Sequence, residues 1–525
     1  MIPSLTPPAH TLRGPVADMT STLEDPAFAR DVLPPYLVGR RWFAGKGDAL
    51  ESAQITVTAS LGVAREITLT EVEATHSGLR DRYFLPLCVV FDDEEPAELS
   101  TQLALARIEG TRPGYLTDAF TQGAFIHELL VLLKSGSRLT GRGGTLDFRP
   151  TPAFDHIHIA PDAPVRWLSA EQSNSSTIVD RQVMVKVFRR ISSGEHPEAE
   201  MSRLLTERGF ANSAPLMGEI VHVSPDGAPQ VLAVVQGFIA AEGDGWSWTL
   251  EFLAEAVRQL GSGANVDTVL APLEAFAGKL GTRLGEMHDV LAQGSDNPDF
   301  APVLAESAAI ARWEDRIGRR FRDVVRRLQD KLDTLNPADR ALAESILVRR
   351  QGVIDTIRNL ARSGEGALLH RVHGDFHLGQ VLVAEGDAVI IDFEGEPTLP
   401  LAERRAKDSG WRDVAGILRS LDYALAAGRP APASPTTSEY DVLADAISAR
   451  FPERLLAAYR AAAGLPQGGG DRQRDADLLR LFLIEKAAYE VLYELGNRPD
   501  WLTVPLTGLA RLVDAVAVPE TGDAA

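Results

Sequence analysis

The 525 residues, 45% hydrophobic and 24% charged, exceed what one hydrophobic core usually serves and have an ordinary globular composition, so two or more folded lobes are expected. The 73 acidic against 53 basic residues leave a net charge of −20, which repels polyanions and anionic headgroups and makes nucleic acid and membrane poor partners. One cysteine, Cys88, rules out an internal disulfide framework and a thiolate metal cluster, and fits a reducing cytoplasm.

In chain order, residues 1–26 lack the basic start and apolar core of a secretory signal and read as a disordered extension, with Met19 an alternative start. Residues 27–112 read as a cap subdomain, in which short alternating segments such as 54–58 and 66–73 predict an antiparallel β module. The apolar run 84–91 predicts one buried strand, far too short to cross a bilayer. Residues 113–240 combine a helix with Phe125, Leu129, Leu130 and Leu133 on one face, a Gly-rich turn at 141–144, and strand-like runs at 177–188 and 231–235. Together these suggest a second small sheet. Residues 241–525 turn to Ala, Leu, Arg and Glu at helical spacing through Ala361 and again from Tyr440 to about Leu495, with a Pro-rich linker at 429–437 and a loose end from Pro519. The fold class is α+β.

The chemistry concentrates in Arg371-Val-His-Gly-Asp-Phe-His-Leu-Gly-Gln380 and, a short way on, Val389-Ile-Ile-Asp-Phe-Glu-Gly-Glu-Pro397. The spacing His-x-Asp-x-x-x-x-Gln is that of a phosphotransfer catalytic loop, in which Asp375 takes the acceptor hydroxyl's proton, His373 braces the loop and the Gln380 amide binds magnesium. Asp392 ends an apolar strand and would hold the metal on nucleotide phosphates, while Glu394 would ligate through water or cap the following turn. Upstream, Lys186 sits in an apolar strand as a phosphate clamp, held by Glu200 or Glu198 from an acidic helix start. The run Ser173, Asn174, Ser175 and Ser176 stands where a loop would cover the phosphates; its Asn174-Ser-Ser176 also matches a glycosylation acceptor, read as chance.

Two decoys fall away on spacing and chemistry. The stretch from Gly39 to Gly47 has five residues between its first two glycines and no Ser or Thr after Lys46, so it misses the Walker pattern. His370, His373 and His377 raise a zinc site, but Gly374 is a poor helix residue and the neighbouring oxygen donors suit magnesium. In Glu485-Lys-Ala-Ala-Tyr-Glu-Val-Leu-Tyr-Glu494, residues Lys486, Tyr489, Glu490 and Tyr493 share a helix face, with Asn497 and Arg498 just beyond. Charged hydrogen-bonding groups beside aromatic faces suit a sugar; the alternative is a solvated face with a Lys486–Glu490 pair. Asp413, opening a helix, is read as satisfying that helix's own N-terminal amides in preference to supporting the catalytic loop.

These segments, with Arg41-Trp-Phe-Ala-Gly-Lys46, Glu171-Gln-Ser-Asn174, Glu242-Gly-Asp-Gly-Trp246, Leu401-Ala-Glu-Arg-Arg405, Trp411-Arg-Asp-Val-Ala-Gly416 and Asn497-Arg-Pro-Asp-Trp501, resemble the actinobacterial maltokinases of the aminoglycoside- and choline-kinase-like group over residues 33–515. The Gly-Asp-x-His core is shared with many small-molecule kinases, whereas the whole set is specific to this family and its near relatives. The resemblance implies a bilobal protein-kinase-like fold: a β-rich cap, an intermediate β-rich nucleotide-binding subdomain and a helical C-lobe for the acceptor. It implies ATP and Mg2+, adenine on a hinge near Gln236 and Phe238, and phosphorylation of maltose to maltose 1-phosphate for α-glucan and glycogen synthesis. Trehalose synthase is the implied partner, and a cytoplasmic monomer is expected. The rivals are a glucosamine or other small-molecule kinase on the same scaffold, and a catalytically silent binding module.

Overall fold

A computed structural model describes residues 10–13, 19–45, 47–62, 66–94, 98–141, 143–168, 174–431, 436–465 and 468–514. The chain divides into two compact units, one formed by the residues through Thr206 together with Ala214–Ala240, the other by Glu207–Ser213 together with the residues from Ala241.

The first unit carries two seven-stranded sheets. One comprises β1 (Thr11–Arg13), β2 (Leu50–Gly62), β3 (Glu66–His76), β4 (Leu79–Phe84), β5 (Leu87–Phe91), β6 (Ala104–Glu109) and β7 (Gly114–Asp118), in the order β1-β6-β7-β5-β3-β2 with β4 also on β3. The run 84–91 is thus not one strand. Pro86, which has no amide to donate, divides it, and β4 and β5 pair separately with β3. Residues 19–26, expected within a disordered extension, are largely helical. Met19–Leu23 is a helix and Asp25 caps the next, Pro26–Asp31, accepting from the Ala27 N–H at 2.8 Å, while Met19, Leu23 and Phe28 are buried in the cap core.

Strand β3 explains why cap and second sheet belong to one unit. Its side chains alternate between faces, and both faces are apolar. Ile67 and Leu69 join a core with Phe125, Leu129 and Leu133 of the helix Gly123–Lys134, whereas Val72 and Ala74 join Leu33, Tyr36 and Trp42 in another.

The second sheet comprises β8 (Arg138–Gly141), β9 (Gly144–Pro150), β10 (Val165–Trp167), β11 (Asn174–Val179), β12 (Val183–Phe188), β13 (Leu216–Val223) and β14 (Pro229–Gly237), in the antiparallel order β10-β11-β12-β14-β13-β9-β8. The run 177–188 is a hairpin and not a single strand. Asp180 and Arg181 take φ of 51° and 53°, reversing the chain so that Val179 pairs with Val183.

Ion pairs tie the two sheets together: the buried Arg189 to Asp118 at 2.7 Å, the exposed Arg190 to Asp81 at 2.6 Å, and the buried His222 Nδ1 to Glu71 at 2.9 Å. The other nitrogen of His222 lies 3.0 Å from the Gly143 carbonyl. With acceptors on both sides, only the charged imidazolium donates twice. The bond to Glu71 holds the His222 pKa above its ordinary value despite burial. A raised folded-state pKa contributes stability that is fully present below the unfolded value of about 6.5 and is lost as pH rises through the folded value. His222→Ala is therefore expected to lose about 2 kcal/mol in urea unfolding at mildly acidic pH and less in alkali; a loss that does not vary with pH would contradict the charged pairing.

The second unit is mainly helical. Its helices include Gly245–Gly261, Val266–Leu291, Ser307–Lys331, Trp411–Ala427, Thr437–Ala462 and Gly469–Asn497. Asp244 caps the first of these, accepting from the Ser247 N–H at 2.8 Å. The helical stretch expected from Tyr440 to about Leu495 is two helices, because Gly464 at φ 60° stops the first. Residues 432–435 of the Pro-rich linker lie outside the described residues. Short strands complete the unit: β15 (Gly243–Asp244), β16 (Val303–Leu304), β17 (Leu368–Leu369), β18 (Val381–Ala384) and β19 (Asp387–Ile390). Among the described residues, no helix is long and apolar enough to cross a membrane.

Candidate active site

The catalytic loop leaves β17 and ends in the hairpin β18–β19. Glu385 and Gly386, at φ 51° and 67°, form its two-residue turn, so Val381 pairs with Ile390 and the residues flanking that pair meet. Gln380 Nε2 donates to Asp392 Oδ2 at 2.9 Å, and the Ile391 N–H donates to the Gln380 carbonyl at 3.0 Å. Asp392 itself stands at φ 68°, a left-handed conformation that Asp tolerates better than most residues and that is common at functional sites.

Asp413 holds the loop in place, which corrects the expectation that it serves its own helix. It sits in the first turn of Trp411–Ala427, yet its carboxylate accepts from the His373 N–H at 2.7 Å, the Gly374 N–H at 2.9 Å and His288 Nε2 at 3.1 Å. The reason is proximity. A side chain at Gly416 would collide with the Phe376 carbonyl, so this glycine lets the helix lie directly against the loop. Burial pushes the Asp413 carboxyl up, but His288, His373 and the Gly374 amide hold it at about 2. Gly374, at φ 82°, makes the turn that presents Asp375.

His373 bridges the loop: Nε2 is 2.9 Å from the Ile391 carbonyl and Nδ1 accepts from the Asp375 N–H at 3.4 Å. Both ring nitrogens are thus taken up by backbone groups of the loop and of the strand end. His377 Nδ1 accepts from the Gly379 N–H at 3.0 Å and His370 Nδ1 lies 2.6 Å from the Arg371 carbonyl. The ring nitrogens serve backbone groups, and among the described residues no triple of His, Cys, Asp or Glu is placed around a metal. Gln380 meets the Asp392 carboxylate through its amide nitrogen, which leaves the Gln380 amide oxygen, the Asp392 carboxylate and, two residues on, Glu394 as hard oxygens a cation could use. Phosphate oxygens and water complete such a set for Mg2+, which when bound would neutralise phosphate charge.

Asp375 Oδ1 lies 3.1 Å from Lys486 Nζ of the helix Gly469–Asn497. Burial pushes the Asp375 carboxyl up, yet the charges of Lys486, His377 and His373 hold it below its ordinary value. Lys486 thus pairs with Asp375 and not with Glu490, which Arg419 takes instead at 2.9 and 2.7 Å. Lys486, Tyr489, Glu490, Tyr493 and Arg498 line one pocket of about 350 Å³. Asn497 stays outside it, donating back to the Tyr493 carbonyl at 2.9 Å where the helix ends. The sequence reading missed Trp246, Ser420 and Tyr423 on the opposite wall. The signal was present: Gly416, Ser420 and Tyr423 follow i, i+4, i+7 spacing on one helix face.

In the first unit, Lys186 Nζ lies 3.8 Å from Glu198, whose other oxygen accepts from Gln236 Nε2 at 2.8 Å. Glu200, two residues on in the same helix, Pro197–Glu207, is also buried, but at that spacing it does not share the Glu198 face. Asn174, Ser175 and Ser176 are not a loop: they open β11, because the Ser-Ser-Thr-Ile-Val run pairs with β12 residue by residue. Ser176 pairs with Lys186, so Asn174 and Ser176 share its face, while Ser175 Oγ accepts from Arg189 Nε at 2.7 Å. Ser173 lies outside the described residues. The Phe238 N–H donates to the Gln182 carbonyl at 2.8 Å, so an adenine at this hinge would need other backbone groups.

A β-rich unit with a buried strand lysine, and a helical unit whose loop presents an ionised Asp and a Gln hydrogen-bonded to a second Asp, define a small-molecule kinase. The Phosphotransferase enzyme family model matches residues 170–395, and the Maltokinase N-terminal cap domain model matches residues 36–121. The chain is 30% identical over 383 residues to a glucosamine kinase of Streptacidiphilus jiangxiensis, covering 71% of this chain and 79% of that protein. It is 26% identical over 356 residues to a glucosamine kinase of Mycolicibacterium smegmatis, covering 66% and 79%. A glucosamine kinase structure in complex with glucosamine, ADP and inorganic phosphate superposes with a TM-score of 0.60 at 21% identity, over 91% of this chain and 98% of that one. A second glucosamine kinase crystal form gives 0.62 at 22%, over 95% and 100%. The chain belongs to the phosphotransferase enzyme family, as a maltokinase-like member of its aminoglycoside- and choline-kinase-like group.

Proposed function

We propose that the protein transfers the γ-phosphate of ATP to the anomeric hydroxyl of maltose, giving maltose 1-phosphate and ADP. The observation that carries this reading is the pocket of about 350 Å³ along the helix Gly469–Asn497, lined by tyrosines and charged groups and shared by Lys486, the partner of Asp375, in a chain with a maltokinase-type cap. Asp375 accepts the hydroxyl proton as the oxygen attacks phosphorus. Its depressed pKa is no obstacle, since a loose transition state asks mainly for orientation and charge neutralisation. Lys186, steadied by Glu198, clamps the nucleotide phosphates, with Asn174 and Ser176 as donors on the same strand face. Gln380, Asp392 and Glu394 would hold Mg2+. Maltose would come from a trehalose synthase, and the product would feed α-glucan and glycogen assembly, with the enzyme acting as a cytoplasmic monomer.

Phosphorylation of glucosamine is the second reading, favoured by the names of the two relatives. Incubation with ATP, magnesium and equimolar maltose, glucosamine, glucose and trehalose separates the two by product mass. Maltose phosphate is expected to exceed every other product by about tenfold or more. A majority of glucosamine phosphate would give the second reading the site, and ATP consumption without any sugar phosphate would remove both.

A further inference from the structure

Asp375 and both carboxylates that line the acceptor pocket, Glu490 and Glu494, already carry a cation. Asp375 faces Lys486 at 3.1 Å, and Glu490 takes two bonds from Arg419 at 2.9 and 2.7 Å. Glu494 takes two from Arg498 at 3.0 and 2.7 Å and one from the Tyr423 hydroxyl at 3.0 Å. Arg419 is only 2% exposed, and a side chain at Gly508 would collide with its guanidinium, so it is held against Glu490 by packing as well as by charge. Burial pulls the Lys486 pKa down, but Asp375 and Glu490 carry it above its ordinary value, so the ammonium stays charged through neutral and mildly alkaline pH.

Such a pocket treats neutral and cationic guests differently. A sugar hydroxyl donates to a carboxylate oxygen and accepts from Lys486 without separating any pair. An ammonium donates only. Carboxylates whose charge a cation already offsets attract it less, and here it would also meet the Lys486 charge.

We propose that this pairing makes the acceptor pocket selective for uncharged sugars, with Lys486 as the specificity-determining residue that excludes sugars bearing an ammonium group. The proposal rests on the reading of this pocket as the acceptor site. It also accounts for how a chain related to glucosamine kinases can keep the phosphotransfer groups and change the acceptor.

Calorimetric binding of glucosamine and of maltose to the full chain, at about pH 6 and about pH 9, brackets the titration of a sugar amine near the ordinary amine range. The wild type is expected to bind glucosamine at least about tenfold more tightly at the higher pH, with maltose affinity unchanged. Lys486→Met should erase most of that difference. Arg498→Met changes a largely exposed residue whose loss the fold should tolerate, and frees Glu494 to take the ammonium, so it should strengthen glucosamine binding at the lower pH. Wild-type glucosamine affinity that does not change with pH, or a pH preference that persists in Lys486→Met, would overturn the proposal. Binding is read here without turnover, so a failure of maltose phosphorylation would sink the functional reading while this comparison still stood or fell by itself.

Discussion

Asp375→Asn is expected to lower kcat by about a thousandfold while ADP affinity stays within about twofold. The amide keeps the shape of the carboxylate and can still lie against Lys486, but it cannot take the acceptor's proton. The proposed nucleotide clamp, Lys186 with Glu198, belongs to the other compact unit and is not altered by the substitution. Because Lys486 and the loop histidines hold the Asp375 carboxyl below its ordinary value, its ionisation should set no acid limb on the kcat profile above about pH 4. Calorimetry with ADP and a coupled assay of ADP release measure the two halves of this result. Near-normal turnover in the variant would take Asp375 out of the base role.

Asp413→Ala should do more damage to the fold and nearly as much to the reaction. Its carboxylate is 1% exposed and satisfies two loop amides and His288; without it those donors are left buried and unpaired. A loss of about 3 kcal/mol in urea unfolding is expected. With Gly374 no longer anchored, kcat should fall by about a hundredfold even where the protein is fully folded, since small misplacement of a reacting group is costly. The pH dependence has a definite sign. A folded pKa of about 2 against an unfolded value near about 3.9 contributes stability above the unfolded value that is lost as pH falls through the folded one. The stability gap between wild type and variant should therefore narrow in strong acid. A variant as stable as the wild type at neutral pH would show that the loop is anchored elsewhere.

The meeting of Gln380 with Asp392 is legible in the sequence because it is local: the two residues flank one hairpin, and the Glu385-Gly386 turn that brings them together is itself a short-range feature. Lys186 is legible for a similar reason, as a cation in an otherwise apolar strand. What depends on one segment meeting another is not. Asp413 looks like a helix-start carboxylate, and only the approach of Gly416 to Phe376 turns it toward the loop. The i, i+4 rule pairs Lys486 with Glu490, yet Asp375 and Arg419, distant in sequence, divide that pair between them. Asn174 to Ser176 carry turn-forming side chains, but tertiary pairing with β12 overrides that preference. The division of 84–91 by Pro86 could have been read directly, since proline removes a ladder donor.

Phosphorus NMR of the wild-type protein with ATP, magnesium and maltose tests the central claim most directly. The account predicts a phosphate-ester resonance coupled to an anomeric proton, growing in step with ADP. ADP accompanied only by inorganic phosphate, or ATP left intact, would contradict it.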